Sequence, residues 1–132
     1  TIGITRMEVG KMKDGDIAGL AVFQKPYAFI AVKQENGIRK LIMVNNGETI
    51  AGAPMKGETV FLRAIASNRT KKACFEYSYD NIEFIQLGNE LLMEFSLKIF
   101  TGNKFGLFNY ATKESGGYVD FDWFRTAMGL SN

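Results

Sequence analysis

Two apolar runs near the C-terminus decide the fold: residues 100–112 (FTGNKFGLFNYAT) and residues 116–126 (GGYVDFDWFRT). Successive side chains of a β-strand point to opposite faces, so period-two alternation marks a strand with one buried face. In the second run, alternation predicts a core face made of Val119, Phe121 and Trp123. The opposite face then carries two carboxylates framed by two aromatic rings: Tyr118, Asp120, Asp122 and Phe124. Since only a short polar turn separates the two runs, we expect them to face each other as neighbouring strands.

The same alternation extends through the rest of the chain, and no sustained helical period interrupts it. Strands are predicted over residues 2–9, 17–24, 27–35, 38–45, 58–67, 72–79 and 82–87. Asn36-Gly37 predicts a tight hairpin, because both residues tolerate positive φ, and Asn46-Gly47 predicts a second turn. Residues 52–57 and 88–92 read as loops or turns. Regularly spaced strands of this kind predict an all-β, two-sheet sandwich or jelly roll.

The length and charge of the chain narrow the class of protein. A length of 132 residues suits a single domain with a sizeable core. Because a strand pattern begins at Ile2, we expect the first strands of the sandwich, and a catalytic domain before them, to precede this sequence. A net charge of +2 with interspersed acids and bases argues against nucleic acid or an anionic membrane as partner. No apolar stretch approaches the ~20 residues of a membrane helix.

The residue types available for chemistry are few. The sequence contains no histidine, which excludes Ser-His and Cys-His nucleophile systems and leaves any metal site to oxygen ligands. Asp120 and Asp122 lie about 7 Å apart by strand rise, and glycosidases place two carboxyl groups roughly 5–10 Å apart. However, both lie on one strand, and by comparison with sandwich glycosidases, which place a third acidic residue further along the same face, this sequence has Phe124 there. We therefore expect no catalytic activity from this chain alone.

Five runs, in this order, resemble one known family. They are DGDIAGLAVFQ (14–24), YAFIAVKQ (27–34), YSYDNIEFIQLG (77–88) and the two C-terminal runs. Together they resemble the C-terminal concanavalin A-like β-sandwich domain attached to family 43 glycoside hydrolases, which are β-xylosidases and α-L-arabinofuranosidases. The resemblance covers about residues 12–125. It implies that residues 1–132 are a non-catalytic accessory domain of a larger enzyme of xylan or arabinoxylan degradation, whose catalysis resides in a separate β-propeller.

The resemblance implies a docking role for the FTG loop. In family 43 enzymes built this way, the sandwich packs on the propeller and can send this loop to the rim of the active site. Phe100, Asn103 and Phe105 are the candidate rim residues, and Phe100 or Phe105 is expected to point outward. The alternative for both phenylalanines is a place in the core.

A second function is also open: the domain is a carbohydrate-binding module that itself holds plant cell-wall polysaccharide or oligosaccharide of the xylan type. Aromatic rings stack on the apolar faces of sugars, and polar groups bond their hydroxyls. The candidates for such a site are Tyr77, Tyr79, Asn109, Tyr110, Tyr118 and Asp120. Aromatic residues at period two are also typical core residues, which is the competing interpretation for each of them.

Two further expectations concern calcium and self-association. Sandwich domains similar to this one often bind Ca²⁺ through an aspartate on the final strand, which by resemblance implies Asp122 as a structural ligand. The alternative is an aspartate that is solvated or hydrogen-bonded. A sheet edge left open by missing strands would recruit a neighbour, so a homodimer is a further expectation.

Overall fold

A computed structural model of the chain describes residues 1–22, 28–67, 69–92, 105–113 and 116–127. The described residues form eleven β-strands. In chain order these are β1 (Ile2–Glu8), β2 (Asp16–Val22), β3 (Ala28–Glu35), β4 (Ile38–Asn45), β5 (Glu48–Pro54), β6 (Thr59–Ser67), β7 (Lys72–Ser78), β8 (Ile85–Gln86), β9 (Leu91–Leu92), β10 (Phe105–Ala111) and β11 (Asp120–Ala127). In these ranges no helix is long and apolar enough to cross a membrane.

The strands form two antiparallel sheets. One sheet has the order β11-β1-β6-β7-β8, with β9 also paired to β7, and the other has the order β10-β2-β3-β4-β5. The core lies between them, because the inward residues of both sheets belong to one buried cluster that includes Leu20, Ile30, Leu62 and Phe75. The predicted all-β two-sheet sandwich is confirmed.

In β6, period-two alternation matches the side chains that enter the core. The buried residues of this strand are Val60, Leu62, Ala64 and Ala66. The residues that alternate with them, from Thr59 to Ile65, are half-buried. The five-stranded sheet is apolar on its second face as well. That face carries a separate cluster made of Ile17, Ala21, Phe29, Ala31, Ile42 and Val44, with Phe108 packed against it. Burial on both faces explains why β2 reads as an almost continuous apolar run.

The Asn-Gly turns are confirmed as hairpins. Glu35 pairs with Ile38 across Asn36 (φ 52°) and Gly37 (φ 74°). The β4–β5 turn has the same form, with Asn46 at φ 54° and Gly47 at φ 81°. Both central residues lie in the left-handed region, which matches the right-handed twist of the flanking strands.

The prediction that the two C-terminal runs pair with each other is wrong. β10 pairs with β2 in one sheet, and β11 pairs with β1 in the other. The connection between them follows the β1–β2 loop: Thr112 N–H donates to Gly15 O (3.0 Å) and Tyr118 N–H donates to Lys11 O (3.2 Å). Because the β1–β2 loop itself passes from one sheet to the other, the segment bonded to it also changes sheets.

Trp123 is the second correction, since it lies on the outer face and not on the core face. Arg6 pairs with Trp123, but the next residue of β1, Met7, pairs with Phe121. Asp122 and Trp123 therefore share one partner residue, which is a β-bulge. The extra residue turns Trp123 onto the face of Arg6, whereas Phe121 still packs against the core.

Three smaller differences concern the strand edges. Residues 52–54 extend β5 where a loop was expected, and Pro54 is accommodated because β5 is an edge strand. Leu91–Leu92 forms the short strand β9 where a turn was expected. β1 is bonded on both sides, by β11 and by β6, so β1 itself offers no open edge to a second copy. The homodimer stays a prediction.

Candidate functional site

The first pair of predicted sugar-binding residues, Tyr77 and Tyr79, mainly makes contacts within the fold. Tyr77 is buried in the core, and its ring meets that of Tyr79 edge-on with centroids 5.9 Å apart. Tyr79 is partly exposed, but its hydroxyl accepts a hydrogen bond from Lys56 N–H (3.1 Å) and lies 3.5 Å from Pro54 O. The pair therefore ties β7 to the end of β5.

Tyr110 ends a row of aromatic rings on the outer face of the five-stranded sheet. Its ring lies 6.0 Å from that of Phe108, at an angle of 27°, and Phe108 meets Phe29 edge-on at 4.9 Å. Tyr110 is 48% exposed, so one side of the ring is available to solvent. Its neighbour Asn109 is exposed and pairs with Ala18 in the sheet.

Tyr118 and Asp120 lie on the six-stranded sheet's side of the sandwich, just before and at the start of the edge strand β11. Tyr118 is 51% exposed, and Asp120 pairs with Glu8. The six predicted sugar-binding residues thus lie in or beside three separate strands, β7, β10 and β11. The contacts between described residues join Tyr77 to Tyr79, and none joins one strand's pair to another's.

Asp122 is held by an arginine. Arg6 Nη1 forms an ion pair with Asp122 Oδ2, and Arg6 Nη2 lies 2.9 Å from Glu8 Oε1. Among the described residues, no group of three or more carboxylate or cysteine side chains is placed to hold a metal ion. Because Ca²⁺ takes six to eight oxygen ligands, a single carboxylate bonded to a guanidinium fits the ion poorly.

Calcium binding at Asp122 therefore stays a prediction from resemblance, and the geometry argues against it. We expect the same melting temperature in excess calcium as in chelator, because the carboxylate is already bonded to Arg6. The check is a pair of thermal melts on the wild type and on Asp122→Ala. A calcium-dependent rise in melting temperature that the variant lacks would establish the site.

The outer face of the six-stranded sheet carries rings and arginines that sequence reasoning missed. Trp123 packs 6.0 Å from Phe61, and Arg125 lies over the Trp123 ring at 4.3 Å. Arg63 lies over Phe84 at 3.7 Å and also bonds Glu76 (2.7 Å). Since arginines cover the Trp123 and Phe84 rings, these rings are not open platforms for stacking. The bulge that turns Trp123 outward leaves no signal in the sequence.

Of the predicted rim residues, Phe105 is a core residue. It is 5% exposed, and a Cβ added to Gly3 would lie 2.9 Å from its ring. Phe105 therefore takes the core place that was the alternative for this residue, because the first residue of β10 faces β1 across the core. Phe100 and Asn103 lie outside the described residues.

An open cleft lies at the end of the sandwich where the β3–β4 hairpin turns. Its volume is about 450 Å³. We call it the hairpin-end cleft, and it is lined by Gly37, Ile38, Arg39, Met55, Gly57 and Glu58. Sequence reasoning did not find it, since it joins the start of β4 to the connection between β5 and β6.

The carboxylate of Asp14 holds the hairpin turn that lines this cleft. Asp14 Oδ1 accepts hydrogen bonds from Gly37 N–H (2.9 Å) and from Gln34 Nε2 (3.2 Å). The Gly37 and Gln34 donors, in that order of effect, lower the pKa of Asp14 below its usual value. The charged form of Asp14 thus fixes both the hairpin turn and the Gln34 side chain.

The sequence matches a described family over almost its whole length. Residues 2–127 match the sequence model of the β-xylosidase C-terminal concanavalin A-like domain. A β-xylosidase of Formosa agariphila is 31% identical over 123 residues, which are 92% of this chain and 20% of that protein.

Solved structures agree with the sequence match. A bifunctional GH43-CE protein of Bacteroides eggerthii is 38% identical, with a TM-score of 0.83, over 94% of this chain and 17% of its own. An engineered GH43 glycoside hydrolase, described as displaying both endo-xylanase and exo-arabinofuranosidase activity, is 30% identical with a TM-score of 0.83, over 94% of this chain and 28% of its own. The chain thus spans between 17% and 28% of the length of these relatives, and it belongs to the family of β-xylosidase C-terminal concanavalin A-like domains.

Proposed function

We propose that this chain is a non-catalytic accessory domain of a family 43 glycoside hydrolase, which supports the catalytic propeller and the rim of its active site. The observation that carries the proposal is the family membership together with the span of the match. The described family is a C-terminal domain, and the chain covers only 20% of the related β-xylosidase. Since most of the related β-xylosidase lies outside the matched domain, we propose a supporting role for the domain in the degradation of xylan or arabinoxylan.

The carboxylates of the chain support a non-catalytic role. A glycosidase needs one carboxyl group that stays protonated and a second one across the scissile bond. Asp122 is ion-paired with Arg6, and Asp120 is exposed on the edge strand β11. An ion-paired carboxylate is a poor proton donor, so Asp122 is unsuited to the role of general acid.

The position of Phe105 supports docking through the FTG segment. Phe105 is fixed in the core at the start of β10, beside Val22 at the end of β2. Phe105 thus anchors the start of β10 in the core. Phe100 and Asn103 precede it, and we propose them as the residues that reach the propeller's active-site rim.

The test compares the longer enzyme with and without residues 1–132, using aryl xyloside and aryl arabinofuranoside substrates. We expect the isolated chain to be inactive and its removal to lower kcat/KM by about tenfold, about 1.4 kcal/mol of transition-state stabilisation. Phe100→Ala and Asn103→Ala should reproduce part of this loss without lowering the melting temperature. Unchanged kcat/KM and melting temperature after removal of the domain would contradict the docking role.

A second candidate function is sugar binding by the domain itself, and the exposed rings of Tyr110 (48%) and Tyr118 (51%) favour it. Half-exposed tyrosines offer a ring face to a sugar. Under this candidate, Tyr110→Ala and Tyr118→Ala weaken the binding of xylo-oligosaccharides in calorimetric titration and leave the fold intact.

A further inference from the structure

The hairpin-end cleft contains an arginine that is positioned before any ligand arrives. Arg39 Nε donates to Gln34 Oε1 (3.1 Å), and Gln34 is in turn held by Asp14. Gln34 is buried, with 9% of its surface exposed, so this support is rigid. Arg39 Nη2 lies 3.4 Å from Gly10 O, which is a long contact and leaves that nitrogen free to bond a better acceptor.

Glu58 lines the same cleft on the other side of Gly10. A Cβ added to Gly10 would lie 2.8 Å from a carboxylate oxygen of Glu58, so glycine makes room for this side chain. None of the ion pairs between described residues joins Arg39 to Glu58, so the two charged groups lie more than 4.0 Å apart. The two opposite charges therefore share one cleft while each keeps hydrogen-bonding capacity.

The charges and the lining select a class of ligand. A neutral polyol uses both side chains at once, since it donates hydroxyl protons to Glu58 and accepts from Arg39, whereas a charged ligand is attracted by one of the two and repelled by the other. Ile38 and Met55 supply the apolar contact that the C–H face of a sugar ring needs. The cleft volume of about 450 Å³ lies within the range of small-ligand sites, roughly 300–1,000 Å³.

We propose that the hairpin-end cleft binds a neutral sugar unit of a xylan-type oligosaccharide, with Arg39 and Glu58 as its hydrogen-bonding pair. The site lies away from the end of the sandwich where β10 begins. Phe105 pairs with Val22 at one end of β2, whereas the cleft lies near the other end, where Gly15 N–H bonds Gln34 O (2.7 Å). The cleft and the start of β10 therefore lie at opposite ends of the sandwich. The inference shares its ligand class with the second candidate function and is independent of the docking role.

The test is a titration of the chain with xylotriose, followed by backbone amide NMR shifts and by calorimetry. We expect saturable shifts centred on Gly37, Ile38 and Gly57. Glu58→Ala and Arg39→Ala should each weaken binding about tenfold, since each removes a charge-assisted hydrogen bond. Because Arg39 also bonds Gln34, Arg39→Lys serves as a second variant that keeps the charge and loses the forked geometry.

Matched controls come from the opposite end of the sandwich. Glu48→Ala at the start of β5 and Arg69→Ala in the β6–β7 turn remove the same charges from exposed positions and should leave binding unchanged. Glucuronate and glucosamine should bind no more tightly than a neutral sugar of the same size, because each is attracted by one of the two charged side chains and repelled by the other.

Each remaining outcome overturns the inference. Absence of saturable shifts in the folded chain rejects both the cleft and the tyrosine site, while the docking role remains testable in the longer enzyme. Shifts centred on Tyr110 and Tyr118, with Glu58→Ala unchanged, reject the cleft and favour the second candidate function. Tighter binding of either charged sugar would show that the two charges do not act as a pair.

Discussion

Phe75→Ala is expected to destabilise the domain by about 3–5 kcal/mol, the usual cost of deleting a buried phenylalanine ring. Phe75 is fully buried in the middle of β7, where it pairs with Ala64, and its carbonyl accepts a hydrogen bond from Leu87 N–H (2.8 Å). Both sheets close over this position, so the cavity left by the ring can collapse only in part. Typical domains are stable by about 5–15 kcal/mol, so the variant retains little of its stability.

The measurement for Phe75 is urea unfolding followed by circular dichroism, with the free energy of unfolding obtained by linear extrapolation. Phe124→Ala is the matched control, since it makes the same chemical change at a position that is 37% exposed. We expect the control to cost about 0.5 kcal/mol, the scale of surface substitutions. Equal losses in the two variants would mean that Phe75 does not lie in a packed core.

Local chemistry allowed a large part of the fold to be predicted from the sequence. Asn36-Gly37 fixes both the turn and the register of β3 against β4, because a two-residue loop leaves no freedom in the pairing. Alternation in β3 likewise separates Ile30, which faces the central core, from Phe29, which faces the second cluster. In both cases the information lies within ten residues of chain.

The pairing of β10 and β11 could not be predicted in this way. The sequence shows two amphipathic strands and a turn, and that pattern fits a hairpin as well as a change of sheet. The change of sheet depends on the β1–β2 loop, which lies 97 residues earlier in the chain. In this loop, Gly15 O accepts hydrogen bonds from both Thr112 N–H (3.0 Å) and Thr112 Oγ1 (2.7 Å). Contacts over such sequence separations have no local signature.

The candidate sites likewise divide into residues with a local sequence signal and residues placed by contacts between distant parts of the chain. The sequence predicts four tyrosines as candidates for sugar contact, of which Tyr110 and Tyr118 are half-exposed whereas Tyr77 is buried, because the sequence pattern does not separate the two situations. It missed the pairing of Arg6 with Asp122, which depends on the bulge in β11. It also missed Glu58 and Arg39, whose shared cleft exists only because the turn of one hairpin lies beside a connection between the two sheets.

Gly19→Ala is expected to cost about 3 kcal/mol, at the upper end of the cost of overpacking. Gly19 lies in the middle of β2, between Ala31 of β3 and Phe108 of β10. A Cβ on Gly19 would lie 2.6 Å from the Cα of Ala31 and closer still to the carbonyl oxygen of Ile30. These are backbone atoms of a strand that is bonded on both sides, so relief of the clash requires β2 and β3 to separate.

Gly52→Ala provides the matched control for Gly19, because it is the same substitution in a strand of the same sheet. Its Cβ would meet only the carbonyl oxygen of Leu41, at 3.5 Å, which is an ordinary contact. Alanine also restricts the unfolded chain, so we expect Gly52→Ala to be neutral or to stabilise the domain by up to about 1 kcal/mol. Thermal melts of the two variants measure the difference. A melting temperature for Gly19→Ala at or above that of Gly52→Ala would contradict this account. It would show that β2 and β3 do not need the close approach that glycine permits at the centre of the five-stranded sheet.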